Sequence, residues 1–227
     1  MSEGSEARRP TPLWDGPTRI FHWSLAILIV TAWLSAEKSM EVHRLSGYAI
    51  IGLLVFRLWW GVAGGSTARF SSFVRGPSAT LNYMRGMLSR KPGETAGHNP
   101  VGALSVLLLL AAVGATALLG LYATDIDGIE SGPLSDRVDF DTGRLFSERH
   151  ELAFRAVQVL VVLHLAAIVF YGVWKRENLV RPMVTGSRLF SGPATALRKA
   201  PLWSLAFGVA LAAGVAWAVS KGFHFKV

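Results

Sequence analysis

The sequence predicts an all-α integral membrane protein, and three features carry that reading. Five stretches are apolar and long enough to cross a hydrocarbon core of roughly 30 Å, which takes about 20 helical residues. The polar loops between them alternate between strongly basic and mainly acidic. Four of the six histidines fall inside the apolar stretches, where an ionisable side chain is costly and normally has a partner or a task.

The composition supports a membrane protein over a basic soluble one. The 227 residues are 51% hydrophobic with a mean hydropathy of +0.38, yet 23 Lys and Arg stand against 15 Asp and Glu. A basic excess can mark a nucleic-acid partner. Here the basic residues sit in loops between apolar runs, so topology explains them and no nucleic acid is expected. Cysteine is absent, which removes disulfides, iron–sulfur clusters, thiolate zinc sites and thioether-linked cofactors together. Any metal must be held by histidine or carboxylate.

The spans are 18–36, 43–63, 99–123, 148–173 and 201–219. The first follows Trp14-Asp15-Gly16-Pro17-Thr18, where a proline in the first turn suits a helix start. It does not read as a cleaved signal peptide, because His22 and two tryptophans lie inside the run. Residues 1–13 have the polar, charged composition of a flexible tail.

Cytoplasmic loops carry the Lys and Arg excess. Loop 64–97 has Arg69, Arg75, Arg85, Arg90 and Lys91 against Glu94. Loop 174–200 has Lys175, Arg176, Arg181, Arg188, Arg198 and Lys199 against Glu177. Both are expected inside. Loop 124–149 has seven acidic residues against three arginines, so it is expected outside. The N-terminus is then cytoplasmic and the C-terminus periplasmic.

That topology assigns a depth to each intramembrane histidine. His22 lies near the inner end of the first span and His43 opens the second at the outer end. His150 opens the fourth span at the outer end, and His164 follows fourteen residues later, a rise of about 21 Å. Fourteen residues make almost four whole turns, so both project from nearly the same side of one helix. Depth therefore pairs His22 with His164 at the inner level and His43 with His150 at the outer level. A structural histidine explains one such residue more easily than four at two matched depths. A transport site for zinc or iron would gather its ligands at one depth. Two facing imidazoles are what six-coordinate haem iron accepts on its axial positions, and the two pairs point to two haems. Gly47, Gly52, Gly102, Gly114 and Gly120 near these levels leave room either for a flat macrocycle or for close helix contact.

Haem propionates are anionic, so arginines at the ligand levels are candidate partners. Arg19 precedes His22 by three residues, and Arg57 follows His43 by fourteen, on the same face but at the inner level. Arg44 and Arg155 lie toward the outer level, and snorkelling to lipid headgroups is the alternative for Arg19 and Arg44. In Gly97-His98-Asn99-Pro100, Asn99 before a proline fits a helix cap. The functional alternative is that His98 or Asn99 hydrogen-bonds a quinone carbonyl or a propionate. His224 is read as interfacial, without a site role.

The run Trp14-Asp15-Gly16-Pro17-Thr18-Arg19-Ile20-Phe21-His22-Trp23, the opening His43-Arg44-Leu45-Ser46-Gly47-Tyr48, Gly97-His98-Asn99-Pro100, and Asn178-Leu179-Val180-Arg181-Pro182-Met183-Val184-Thr185-Gly186 closely resemble the bacterial cytochrome b561 family. That family includes the cytochrome b subunits of membrane-bound nickel–iron hydrogenases. The resemblance covers about 14–190. It implies a four-helix bundle holding two b haems across the membrane, with axial ligands at His22, His43, His150 and His164, and quinone chemistry beside the inner haem near His98 and Asn99. Residues 191–227 then form a linker and a fifth C-terminal transmembrane helix that departs from the shortest family members.

The expected function is electron transfer in the bacterial cytoplasmic (inner) membrane, linking a periplasmic c-type cytochrome or hydrogenase-like redox protein to the quinone pool. A stand-alone quinone-linked oxidoreductase, such as a superoxide oxidase, is the alternative, and a haem-free anchor or transporter is a third class. The acidic outer loop favours a protein partner, because it would repel an anionic substrate. The loop charges also make a test: a periplasmic reporter fused within 124–149 is active and one within 64–97 is silent, and the reverse pattern would overturn the depth pairing.

Overall fold

The computed structural model describes residues 9–88, 97–127, 129–190 and 197–224. Residues 1–8 of the expected tail, the loop charges Arg90, Lys91 and Glu94, and the start of the C-terminal segment at 191–196 lie outside the described residues.

Five helices are long and apolar enough to cross a membrane: α1 (Gly16–Ser35), α2 (Met40–Ala63), α5 (Pro100–Tyr122), α6 (Phe140–Val173) and α8 (Leu202–Ser220). Short helices α3 (Phe70–Phe73), α4 (Pro77–Arg85) and α7 (Val180–Thr185) join them at one end. The starts are set by side-chain caps. Asp15 accepts from Thr18 N, Ser39 from Val42 N, Asn99 from Gly102 N and Asp139 from Thr142 N, each satisfying a backbone donor that has no intrahelical partner. Two hydrogen bonds from Thr142 hold the Asp139 carboxyl below the usual carboxylate range.

The cap at Asp139 corrects one expectation. The fourth span was expected to open near His150, but α6 begins at Phe140, so His150 lies ten residues inside the helix. Its 34 residues span about 51 Å, well beyond a hydrocarbon core of about 30 Å. The polar first turns show no apolar run, which is why hydropathy passed over them.

A second correction concerns the tail. β1 (Arg9–Pro12) pairs antiparallel with β2 (Ser187–Phe190), and Leu13 behind it is buried. The backbone N–H groups of Leu13 and Trp14 donate to the Gly186 carbonyl at 2.8 and 3.1 Å. Gly186 closes α7 at φ +83° and a Cβ there would sit 3.0 Å from the Trp14 carbonyl, so this tie requires glycine. The ordered structure therefore starts before residue 14.

Helix α2 is the central element. It packs on α1 and on α8, α5 packs on α6, and α2 meets α5 more sparsely. Between the pairs, Ile50, Val113 and Val157 form a buried layer midway along the bundle. The outward faces are apolar, as in Val162, Val169 and Val173 of α6 and Leu202, Trp203 and Phe207 of α8. This suits lipid contact.

The fifth helix has a packing role. Ser204, Gly208, Ala212 and Ala216 recur every fourth residue of α8. Ala212 and Ala216 approach Gly52 of α2, and Gly208 approaches Phe56 and Trp59. Ser204 is fully buried, with its Oγ donating to the Ala63 carbonyl at 3.0 Å and its own carbonyl accepting from Trp59 Nε1 at 2.9 Å. This is the small-residue stripe through which membrane helices approach closely. Beyond it, His224 pairs with Asp136 at 3.0 Å and Arg137 donates to the Gly222 carbonyl, tying the tail to the loop before α6. Gly208→Val places a Cβ 2.5 Å from Trp59 and is expected to destabilise the detergent-solubilised protein by about 1–3 kcal/mol. Gly214→Val, with nothing within 4 Å of its Cβ, leaves the thermal unfolding midpoint unchanged.

Candidate functional site

Four intramembrane histidines meet in two pairs. His22 of α1 faces His164 of α6 with ring centres 6.5 Å apart and planes at 48°. His43 of α2 faces His150 of α6 with centres 6.0 Å apart and planes at 76°. The grouping is the one the depth argument reached.

The two levels are built differently. At the first, His43 Nδ1 donates to the Ala32 carbonyl of α1 and His150 Nδ1 to the Thr116 carbonyl of α5, both at 2.8 Å. Each ring is fixed by a helix other than its own, and its Nε2 remains uncommitted. A cavity of about 380 Å³ lies here, lined among others by His43, Gly47, Ile50, His150, Phe154 and Val157. A Cβ on Gly120 would come within 2.9 Å of the His150 ring, whereas one on Gly47 would meet nothing within 4 Å. Gly120 thus clears space for the imidazole and Gly47 leaves the cavity open, whereas Gly52 serves helix contact. Arg155 and Glu151 pair with each other at the wall of this cavity, and Arg44 pairs with Glu130 at 3.0 Å.

The second level is denser and more polar. Among the described residues, seven buried side-chain nitrogen or oxygen atoms lack a hydrogen-bond partner, and five belong to Thr18, Arg19, His22, Arg57 and His98. Buried polar groups are normally satisfied, so this concentration marks a place where polar groups await a ligand. Arg19 uses Nη1 on the Val184 carbonyl at 2.6 Å and leaves Nε free. Arg57 is buried, lies 4.6 Å over the Phe70 ring, is attracted by the Asp15 carboxylate, and leaves Nη1 free. Arg57 lies at the level of His22 and His164, with an aromatic ring and Asp15 as neighbours.

His98 and Asn99 also sit here. The His98 ring lies between Trp14 and Phe73, each with centres 4.6 Å away, and its Nδ1 has no partner. Burial, then the Arg57 guanidinium and the rings of His164 and His22, push its pKa down to about 3. Asn99 is largely committed to the fold: Oδ1 caps Gly102 N at 2.8 Å and Nδ2 donates to the Tyr171 hydroxyl at 2.8 Å. Tyr171 in turn shares a hydrogen bond with Tyr83 of α4 at 2.9 Å.

Sequence reasoning missed three of these residues. Asp15 both caps α1 and accepts from Trp60 Nε1 at 3.1 Å; its spacing to Thr18 was the available signal. Tyr171 lies seven residues after His164, two turns along the same face of α6. Tyr83 had no signal, because α4 is short and only its docking on α5 places it.

The fold defines a multi-pass helical membrane protein. Residues 13–186 match the family model of the prokaryotic cytochrome b561, and the chain belongs to that family. It is therefore a haem-binding b-type cytochrome of a membrane, and it transfers electrons. Among curated relatives, the probable Ni/Fe-hydrogenase B-type cytochrome subunit of Rhodobacter capsulatus is 22% identical over 83% of this chain and 85% of its own length. Those of Rhizobium leguminosarum bv. viciae and Azotobacter vinelandii are 22% and 24% identical, over 81% and 78% of this chain and 90% and 88% of theirs. No solved structure matches the chain significantly.

The buried state of His98 has a measurable consequence. Below its ordinary value of 6.5 the unfolded histidine takes a proton that the folded one refuses until about pH 3. Its stabilising contribution is complete above 6.5 and is lost as pH falls through that window. Thermal unfolding midpoints of detergent-purified protein should therefore fall more steeply between pH 6.5 and 4 for wild type than for His98→Phe, whose ring suits the slot between Trp14 and Phe73 but does not titrate.

Proposed function

We propose that the chain holds two b-type haems, one between His22 and His164 and one between His43 and His150, and links a redox partner outside the cytoplasmic membrane to quinone at the inner end. The observation that carries this reading is the spacing of the two imidazole pairs. A metal-bound imidazole nitrogen lies about 2 Å from its metal, and the ring centre about 1.1 Å beyond, so two rings that would share one metal between them have centres roughly 6.2 Å apart. The observed 6.5 and 6.0 Å bracket that value. When bound, the haems supply one-electron carriers at two depths of the bundle.

The chain's own residues fit such a group. The Nδ1–H bonds of His43 and His150 fix the tautomer that leaves Nε2 for the metal, as outer hydrogen bonds do for ligating histidines. The free Nε of Arg19 and Nη1 of Arg57 are donors suited to propionate oxygens at the inner level. His98, buried with an unpaired Nδ1 and held between two tilted aromatic rings, is the group we assign to a quinone carbonyl. Asn99 holds α5 and Tyr171 in place beside it.

The alternation of loop charge supports an N-terminus inside and a C-terminus outside. The relatives' names supply the partner class. We infer an external nickel–iron hydrogenase or a comparable redox protein as donor or acceptor, with the acidic loop between α5 and α6 facing it.

Extraction into acidified organic solvent should give two haems per chain, and a ratio near zero would overturn the proposal. In reduced-minus-oxidised spectra with redox titration, His22→Ala and His164→Ala lose the same component, and His43→Ala and His150→Ala lose the other. If His22→Ala matched His150→Ala, the pairing would be wrong. The helices keep their apolar packing in each variant, so one haem is retained.

A further inference from the structure

Helix α6 ends at the basic end of the bundle in a reversal with its own chemistry. Trp174 N donates to the Phe170 carbonyl and Glu177 N to the Tyr171 carbonyl, and between them Arg176 adopts φ +56°. The last carbonyls of a helix lack intrahelical partners and form the negative end of its dipole. Glu177 adds a carboxylate to that end. One of its oxygens, Oε1, pairs with Arg188, and the other, Oε2, is shielded from solvent without any hydrogen-bond partner. The Glu177 side chain is only 9% exposed.

Glu177 lines a cavity of about 410 Å³, together with Ile168, Gly172, Arg176, Asn178 and Val180. A Cβ on Gly172 would meet nothing within 4 Å, so the cavity opens along the outward side of α6 past Val169 and Val173, which are 62% and 76% exposed. An exposed guanidinium, a shielded carboxylate oxygen in need of N–H donors, and an apolar track lie side by side at the end of a membrane span.

We propose that this cleft binds a phospholipid with a primary-amine headgroup, of the phosphatidylethanolamine type. The headgroup ammonium pairs with the Glu177 carboxylate at the negative end of α6, the phosphate accepts from Arg176, and an acyl chain follows Ile168 and Gly172. An N–H donor is what an unpaired carboxylate oxygen lacks, and a primary ammonium supplies three. A choline headgroup has the charge but no N–H, and a glycerol headgroup has no cation, so neither satisfies Glu177. The site is independent of the haem and quinone assignments.

The test uses the full-length protein reconstituted in nanodiscs of equal phosphatidylethanolamine and phosphatidylcholine, with lipid retained after detergent release counted by native mass spectrometry. Wild type is expected to retain the ethanolamine lipid about tenfold over the choline lipid, the size of one charge-assisted hydrogen bond. Glu177→Gln, which keeps the shape but cannot hold the ammonium, abolishes the preference. Arg188→Gln, which breaks the ion pair and leaves the carboxylate, retains it. Equal retention of the two lipids by wild type, or preference surviving in Glu177→Gln, overturns the proposal. So does stronger retention of phosphatidylglycerol than of phosphatidylethanolamine in a matched mixture, which would assign the cleft to anionic lipid through its arginines. Should Glu177→Gln fail to fold, the wild-type headgroup comparison decides alone.

Discussion

A polar ring in hydrocarbon has no water to fall back on, so each nitrogen must find a partner within the bundle. Two rings meet this demand across helices, His43 through Ala32 of α1 and His150 through Thr116 of α5. These bonds couple α2 to α1 and α6 to α5, two of the three helix pairs that pack extensively within the bundle. With Nδ1 committed to backbone, both Nε2 atoms turn toward the space between the pairs. At the other level the demand is left open at Thr18, Arg19, His22, Arg57 and His98. Buried polar atoms without partners are costly, so such a cluster is suited to an anionic group that accepts hydrogen bonds from it. The two ends of one bundle therefore differ, one meeting the demand with backbone carbonyls and the other leaving polar atoms unpartnered.

Around this framework α2 serves several neighbours at once. One side contributes His43 and Gly47 to the cavity, another takes α8 against Gly52 and Trp59, and its last turns bury Arg57 and Trp60. A helix packed on several sides keeps few lipid-facing positions, here Leu45, Leu58 and Val62, and α2 is the most buried of the five spans. Small residues on α8 let it sit close enough to complete that enclosure without widening the bundle.

Much of this was legible in the sequence, because it rests on periodicity and on the cost of charge in hydrocarbon. The five spans follow from apolar length, and the grouping of the histidines follows from the fourteen-residue spacing of His150 and His164 with alternating helix direction. Asn99 as a cap follows from Asn99-Pro100. What could not be read depends on tertiary docking. α4 and α7 are too short for a periodic signal, and the strand at Arg9–Pro12 exists only because Ser187–Phe190 lies beside it. The early start of α6 was concealed because its first turns are polar. The Ser204, Gly208, Ala212 and Ala216 repeat was visible in the sequence, but the helix it faces was not.

Because His150 and His164 both ride on α6, the backbone between them acts as a ruler. An α-helix neither stretches nor compresses without breaking its hydrogen bonds, so the vertical interval between the two imidazole levels is fixed by residue count rather than by packing. One residue inserted between them turns the far ring by about 100° and lifts it by about 1.5 Å, carrying it away from its partner. Substitutions in this stretch are thus a matter of volume, whereas insertions and deletions change the gauge itself.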